Sequence, residues 1–130
     1  PDPRAIFLPV LAPFMPFVAK GKPDWRNLDA IKDHIDYPAY PTRSIMQLQK
    51  LISVMLEDLP RVKVPALMVQ SRGDHGIPPQ SIDTLFAAIS SADKTRLWVE
   101  NSGHVVIREP EREKIFLEVK HFLKRILPSL

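Results

Sequence analysis

A chain of 130 residues with 45% hydrophobic content can bury one core and is too short for two. It has no cysteine, which excludes a disulfide framework, a thiolate metal site and a thiol nucleophile, and which fits a reducing, cytoplasmic setting. The net charge of +3 and pI near 9.4 do not make a polyanion-binding surface: the 18 Lys and Arg are scattered, and Arg112, Lys114, Lys120, Lys124 and Arg125 interleave with Glu111, Glu113 and Glu118, so that face reads as solvated and no nucleic-acid partner is expected.

The most apolar stretch comes first, "RAIFLPVLAPFMPFVAKGK" from Arg4 to Lys22. Pro9, Pro13 and Pro16 interrupt it, and it falls short of the ~20 unbroken apolar residues a spanning helix needs. No small-residue cleavage site follows a basic start, so neither a signal nor a membrane span is expected. The chain opens at Pro1 without an initiator methionine, which predicts a fragment or a processed product.

Proline punctuates the first half, at 1, 3, 9, 13, 16, 23, 38 and 41. Between these breaks, "DWRNLDAIKDHI" offers Asp24 as a helix cap, with Leu28, Ile31 and Ile35 on a stripe. "TRSIMQLQKLISVMLEDL" predicts a long helix capped by Thr42, with Ile45, Leu48, Ile52, Met55 and Leu56 on one face. The first half is therefore expected to be helical and irregular, without strands.

From Pro65 the pattern changes. An apolar run "ALMVQS" reads as a strand and "RGDHGIPP" as a turn. "QSIDTLFAAIS" places Ile82, Leu85, Phe86 and Ile89 on a helix face, with Pro78 and Pro79 in its first turn. "TRLWVE" is β-rich, "NSGH" turns, and a last helix carries Ile115, Phe116, Val119, Phe122, Leu123, Ile126 and Leu127 on one stripe. Strand, helix, strand, helix predicts βαβ construction and a parallel sheet.

In such sheets the loops at the carboxyl ends of the strands hold the chemistry. Asp74 follows the first of these strands and His104 the second, 30 residues later, about one βαβ step, so adjacent strands would bring both to one rim. A carboxylate beside an imidazole there can fix the ring's tautomer and stabilise the imidazolium formed when the other nitrogen takes a proton. Each residue also has a plainer reading, Asp74 as a local turn aspartate after Gly73 and His104 as a hydrogen-bonded structural histidine. His75, His34 and His121 have no metal-ligand spacing, and no metal is expected.

"VPALMVQSRGDHGIPPQS" followed by "KTRLWVENSGHVVIREPEREKIFLEVKHFL" resembles the C-terminal part of an α/β-hydrolase, closest to the carboxylesterase and monoacylglycerol lipase branch. The features that carry it are Gly73 and Asp74 with Ile77, Pro78 and Pro79 beyond, the "NSGH" turn, and the "EPERE" lead into the final helix. The resemblance is close over residues 60–127 and looser before, where "YPAYPTRSIMQLQKL" is similar to the end of the family's cap region and its lead-in helix.

It implies an α/β fold in two parts: a helical, cap-like segment over 1–59, and a C-terminal βαβα portion of the hydrolase sheet, about two parallel strands with flanking helices, over 60–130. It also implies that Asp74 and His104 are the acid and base of a catalytic triad, that the substrate is a carboxylic ester with an apolar acyl chain, and that no cofactor takes part. Phe7, Leu11, Phe14, Met15, Phe17 and Val18 would either line an acyl pocket in the cap or form its ordinary core.

The family's nucleophile stands in a G-x-S-x-G turn N-terminal to the acid. None of the serines here, at 44, 53, 71, 81, 90, 91, 102 and 129, has that setting. Ser71, in "VQSRG", is the nearest decoy, but a turn and two prolines follow it rather than a helix. The chain is therefore expected to be inactive alone and to depend on a companion: an N-terminal half carrying the serine, a self-associated copy or a rearranged sheet. The rival reading is a non-catalytic interaction module derived from a hydrolase. A thioesterase, epoxide hydrolase or dehalogenase could use the same two residues.

Overall fold

The computed structural model describes residues 7–127, so Pro1, Pro3, Arg4 and Ser129 lie outside the described residues. In chain order the elements are α1 (Leu8–Leu11), β1 (Phe17–Ala19), α2 (Leu28–Ile31), β2 (Ala39–Pro41), α3 (Thr42–Asp58), β3 (Ala66–Ser71), α4 (Ser81–Ala88), β4 (Lys94–Val99) and α5 (Arg112–Ile126). Short 3-10 turns occupy Leu59–Arg61 and Val106–Arg108. The elements fall into two compact units, one of residues 7–22 and Ile35–Asp58, the other of Pro23–His34 and 59–127.

The first unit holds two strands where the sequence predicts none. β1 and β2 pair antiparallel, with Phe17 opposite Pro41, Val18 opposite Tyr40 and Ala19 opposite Ala39. Three residues each are too few to produce an alternation signal, and because both strands are edges, Pro41 is tolerated at the end of the ladder. Thr42, expected to cap α3, is fully buried and has another role. Its amide donates to the Pro16 carbonyl at 2.9 Å and its hydroxyl to the Met15 carbonyl, fastening the start of α3 to the segment that enters β1. Lys20 pairs with Asp36 and stands 4.5 Å from the centre of the Tyr40 ring. α3 forms over the predicted span, but Leu48, Ile52, Met55 and Leu56 on its apolar stripe remain exposed.

In the second unit the predicted strands appear within one residue of their expected limits. β3 and β4 are parallel, from Ala66 opposite Lys94 to Ser71 opposite Val99. α4 connects them, and Pro78 and Pro79 stand in the turn that precedes it, their carbonyls accepting the amides of Ser81 and Ile82. At the other end of α4, Lys94 Nζ donates to the carbonyls of Phe86 and Ile89 at 2.7 and 2.8 Å, a cation placed where the helix leaves acceptors unpaired. Arg125 holds Asp93 in a two-pronged ion pair at 2.5 and 2.9 Å, joining the last turn of α5 to the approach of β4. That pairing lowers the Asp93 carboxyl and raises the Arg125 guanidinium from their ordinary pKa values.

The core of this unit is Leu59, Ile82, Ile89, Val99 and Ile115, with Ala30 from α2. α2 is a single turn rather than the longer helix expected. Its cap is Asn27, whose side chain accepts from the Asp29 amide at 3.2 Å, and Leu28, Ile31 and Ile35 are exposed, so they form no buried stripe. Of the α5 stripe only Ile115 is fully buried. Phe116, Leu123 and Leu127 are exposed. Among the described residues no helix is long and apolar enough to cross a membrane.

This contrast along α5 is measurable. Ile115→Ala should destabilise the chain by about 3 kcal/mol, as expected for a truncated core side chain, whereas Phe116→Ala, one residue on, should cost less than about 1 kcal/mol. Urea denaturation followed by circular dichroism tests this, and equal losses for the two variants would mean that α5 packs by another face.

Candidate active site

β3 and β4 end opposite each other, at Ser71 and Val99, so the segments that follow them leave the same edge of the sheet. The Arg72 amide donates to the Val99 carbonyl at 2.9 Å, carrying the ladder one step past the strands. Ser71 then ties the two loops together: its hydroxyl donates to the Ser102 carbonyl, and its oxygen accepts the Gly73 amide at 3.0 Å. With no exposed surface and both bonding directions used, Ser71 is a structural residue and not the nucleophile its setting imitates.

Asp74 sits in the turn after β3 with only 3% of its side chain exposed. Its Oδ1 accepts the amides of Gly76 and Ile77 at 2.7 and 2.8 Å, and its Oδ2 accepts Gln70 Nε2 at 2.7 Å. The turn bond of the plain reading is therefore present, and the carboxylate still has capacity to spare. His104 takes it up. Its Nδ1 lies 3.2 Å from Oδ1 and 3.1 Å from Oδ2. A carboxylate can only accept, so this contact places the proton on Nδ1 and leaves Nε2 with its lone pair. The His104 side chain is 47% exposed, and among the described residues no hydrogen bond engages Nε2. Gly76 lies against the pair. A Cβ added there would stand 3.1 Å from His104 Cγ and Nδ1 and 3.3 Å from Asp74 Oδ1, so any side chain would press between acid and base.

Three carboxylates that the sequence reading did not assign to the site hold the segments around this pair. Asp24 Oδ2 accepts the His75 amide at 2.9 Å and the His104 amide at 3.1 Å. Glu109, almost wholly buried, accepts the amides of Arg26 and Asn27 at 3.0 and 2.9 Å, while Asn27 Nδ2 donates to the Arg108 carbonyl at 2.8 Å. Glu111, read from sequence as part of a solvated face, accepts the Asn101 amide at 2.6 Å and the Ser102 hydroxyl at 3.2 Å. The "EPERE" segment thus braces the "NSGH" loop on one side and residues 26–27 on the other. Arg108 reaches the same segment, a strap of residues 23–34, through an ion pair with Asp33 and a contact 5.7 Å from the Trp25 ring centre. No sequence period marks these bonds, since each joins a side chain to the backbone or polar group of a distant loop. The remaining histidines stand apart from the pair: His34 packs edge-on against Trp25 at 4.9 Å, and His121 is on α5. Among the described residues no three metal-ligating side chains converge.

A family model described as "Serine aminopeptidase, S33" matches residues 25–111, which include both loops and the strap from Trp25 on. The chain belongs to this family of α/β-hydrolases. The chain is 29% identical over 91 residues to a carboxylesterase of Bacillus subtilis (strain 168), a match covering 70% of this chain and 37% of that protein. It is 35% identical over 92 residues to a thermostable monoacylglycerol lipase of Bacillus sp. (strain H-257), covering 71% and 36% respectively.

Among solved structures, one from a study of LipS and LipT, two metagenome-derived lipolytic enzymes, superposes with a TM-score of 0.82 at 28% identity, over 95% of this chain and 50% of its own. The monoacylglycerol lipase of Paleococcus ferrophilus shares the fold, with a TM-score of 0.73 at 22% identity, over 92% and 50%. The chain thus spans a little over a third of the curated relatives it matches, and half of each of these two structures.

The tie through Asp24 predicts an acid-side effect. Burial acts to raise this carboxyl, but the amides of His75 and His104, its own amide and the charge of His104 outweigh it, and the group titrates below the ordinary aspartate value of 3.8. A depressed carboxyl contributes stability that is present above its unfolded value and lost as pH falls through the folded one. Wild type should therefore lose more stability between pH 5 and ~3 than Asp24→Asn, which has no carboxyl to protonate. Urea midpoints at the two pH values measure this, and parallel losses in both proteins would show that Asp24 makes no such contribution.

Proposed function

We propose that this chain supplies the acid and base of a serine hydrolase acting on carboxylic esters, Asp74 as the acid and His104 as the base. The observation that carries the reading is the approach of His104 Nδ1 to both oxygens of the buried Asp74, with the imidazole otherwise open to solvent. The names of its relatives, a carboxylesterase and a monoacylglycerol lipase, support esters as the substrate class. The 130 residues contain no G-x-S-x-G, so in this reading the nucleophilic serine and the oxyanion donors come from a segment outside them.

In the assembled site the serine Oγ attacks the ester carbonyl carbon as His104 Nε2 takes its proton. The tetrahedral intermediate collapses with cleavage of the carbon–oxygen bond, and His104 returns the proton to the leaving alcohol. Water then attacks the acyl-enzyme by the same route, releasing the carboxylic acid and restoring the serine. Asp74 holds the Nδ1–H tautomer throughout and stabilises the imidazolium while it exists. No cofactor enters any step. The apolar side chains of the N-terminal segment, Phe14 and Phe17 among them, serve as the cap that receives the acyl chain.

A second reading, a hydrolase-derived module that binds a protein without catalysis, draws on the missing serine turn and on an open patch along α5 formed by Phe116, Val119 and Leu123 beside Lys120 and Lys124. A fluorophosphonate probe separates the two. We expect no labelling of the chain alone, and labelling when it is combined with an N-terminal hydrolase half bearing the serine. In that combination, hydrolysis of p-nitrophenyl butyrate should fall about 10⁴-fold in Asp74→Asn and at least as far in His104→Ala. Stable association without labelling in any combination would favour the module.

A further inference from the structure

The imidazole of a half-exposed histidine has few contacts of its own to hold it in place. His104 meets the protein through Asp74 on one ring edge, so its position depends largely on where its backbone is put. That backbone is fixed from outside the sheet. A single oxygen of Asp24 accepts both the His75 amide, next to the acid, and the His104 amide, at the base itself, from residues 51 and 80 positions further along the chain. Gly103 closes the arrangement from the other side: a Cβ added there would lie 2.9 Å from Asp24 Oδ1 and nearer still to the Asp24 carbonyl, so the base loop can approach this closely only with glycine. Asp24 in turn rests on a held support, because the amides two and three residues on, Arg26 and Asn27, are bound to the buried Glu109.

We propose that Asp24 is a positioning residue for His104: by bridging the loop of the acid and the loop of the base through one carboxylate oxygen, it sets their separation and the angle at which the imidazole meets Asp74. This rests on the serine-hydrolase reading for its catalytic consequence, but not for the geometry itself. Each amide bond is partly open to water and adds little stability. A displacement of about 1 Å at a general base, however, can cost about 100-fold in rate. Asp24 touches neither substrate nor reacting atoms, and acts only through His104.

The test has two arms. On the chain itself, nitrogen-15 spectra of the histidine side chains should give His104 as the Nδ1–H tautomer in wild type, and as a mixture of tautomers in Asp24→Ala. Asp24→Asn, which keeps one acceptor oxygen for both amides, should retain most of the wild-type pattern. In the combination with an N-terminal half, kcat for p-nitrophenyl butyrate should fall 10- to 100-fold in Asp24→Ala with KM changed less than about 2-fold, and recover most of the loss in Asp24→Asn. Asp29→Ala, on the exposed turn of the same strap, should change neither readout. If Asp24→Ala loses the native circular dichroism, Asp24→Asn and Asp24→Glu decide, the first expected to preserve the tautomer and the second to disturb it. An unchanged His104 spectrum in a folded Asp24→Ala chain, or a fall in activity that lies wholly in KM, overturns the proposal. Absence of hydrolysis and labelling in wild type, with the tautomer still dependent on Asp24, would instead reject the hydrolase reading and leave the positioning role standing.

Discussion

Ser71 and Val99 face each other at the ends of two parallel strands, and the site depends on that register. Were one strand to slip by a single residue, every side chain on it would change face, and Asp74 and His104 would leave the sheet at different heights. With the register as it is, three residues beyond Ser71 and five beyond Val99 bring a buried carboxylate and a half-exposed imidazole to 3.1 Å. Parallel strands cannot be joined by a tight turn, so α4 lies between them. The crossover consumes about 30 residues, which is the spacing of the two groups in sequence.

The unit that carries the pair has a thin core. Five aliphatic side chains and Ala30 are buried, while a sheet of two parallel strands normally has both faces covered. Phe116 and Leu123 on α5, and Leu127 just beyond it, remain exposed. Fully covering a side chain of this kind contributes about 1.5–3 kcal/mol, so each exposed one leaves stability unrealised. Polar ties take up part of the deficit. Lys94 on the carbonyls of α4 and Arg125 on Asp93 secure the two helices where apolar contact is sparse, although the second pair, exposed to water, is worth little by itself.

What the sequence disclosed divides along a physical line. β3, β4, α4 and α5 were legible because burial of one face imposes a period, and the meeting of Asp74 and His104 was legible because strand ends in a parallel sheet converge. The β1 and β2 pair was not, since three residues are too few to show alternation and the prolines around it argue the other way. Asp24 was read as a cap because a carboxylate before a helical stretch is usually one. Its partners are the amides of His75 and His104, and nothing local marks a bond across 80 residues. Glu109 and Glu111 were hidden for a related reason. In a segment as charged as "EPERE", buried and solvated carboxylates look alike until the backbone amides they serve are known. The resemblance to α/β-hydrolases singled out that segment without giving a cause, and the bonds to Arg26, Asn27, Asn101 and Ser102 provide one.

Stability and geometry are thus carried by different groups. Apolar burial, limited as it is, holds β3 and β4 in register, while the loops are placed by carboxylates and hydroxyls bonding to backbone: Ser71 to Ser102, Asp24 to His75 and His104, Glu111 to Asn101. Bonds of this type contribute about 0.5–1.5 kcal/mol each, or somewhat more where the acceptor is charged, but they are directional and fix position to within a few tenths of an ångström. All of them are drawn from residues 23–34 and 59–127, within one compact unit. The alignment of Asp74 with His104 therefore needs no contact from outside that unit. In the proposed role as base, an exposed imidazole already held as one tautomer would lose little freedom when a nucleophile arrives, which is the rate advantage of positioning it beforehand.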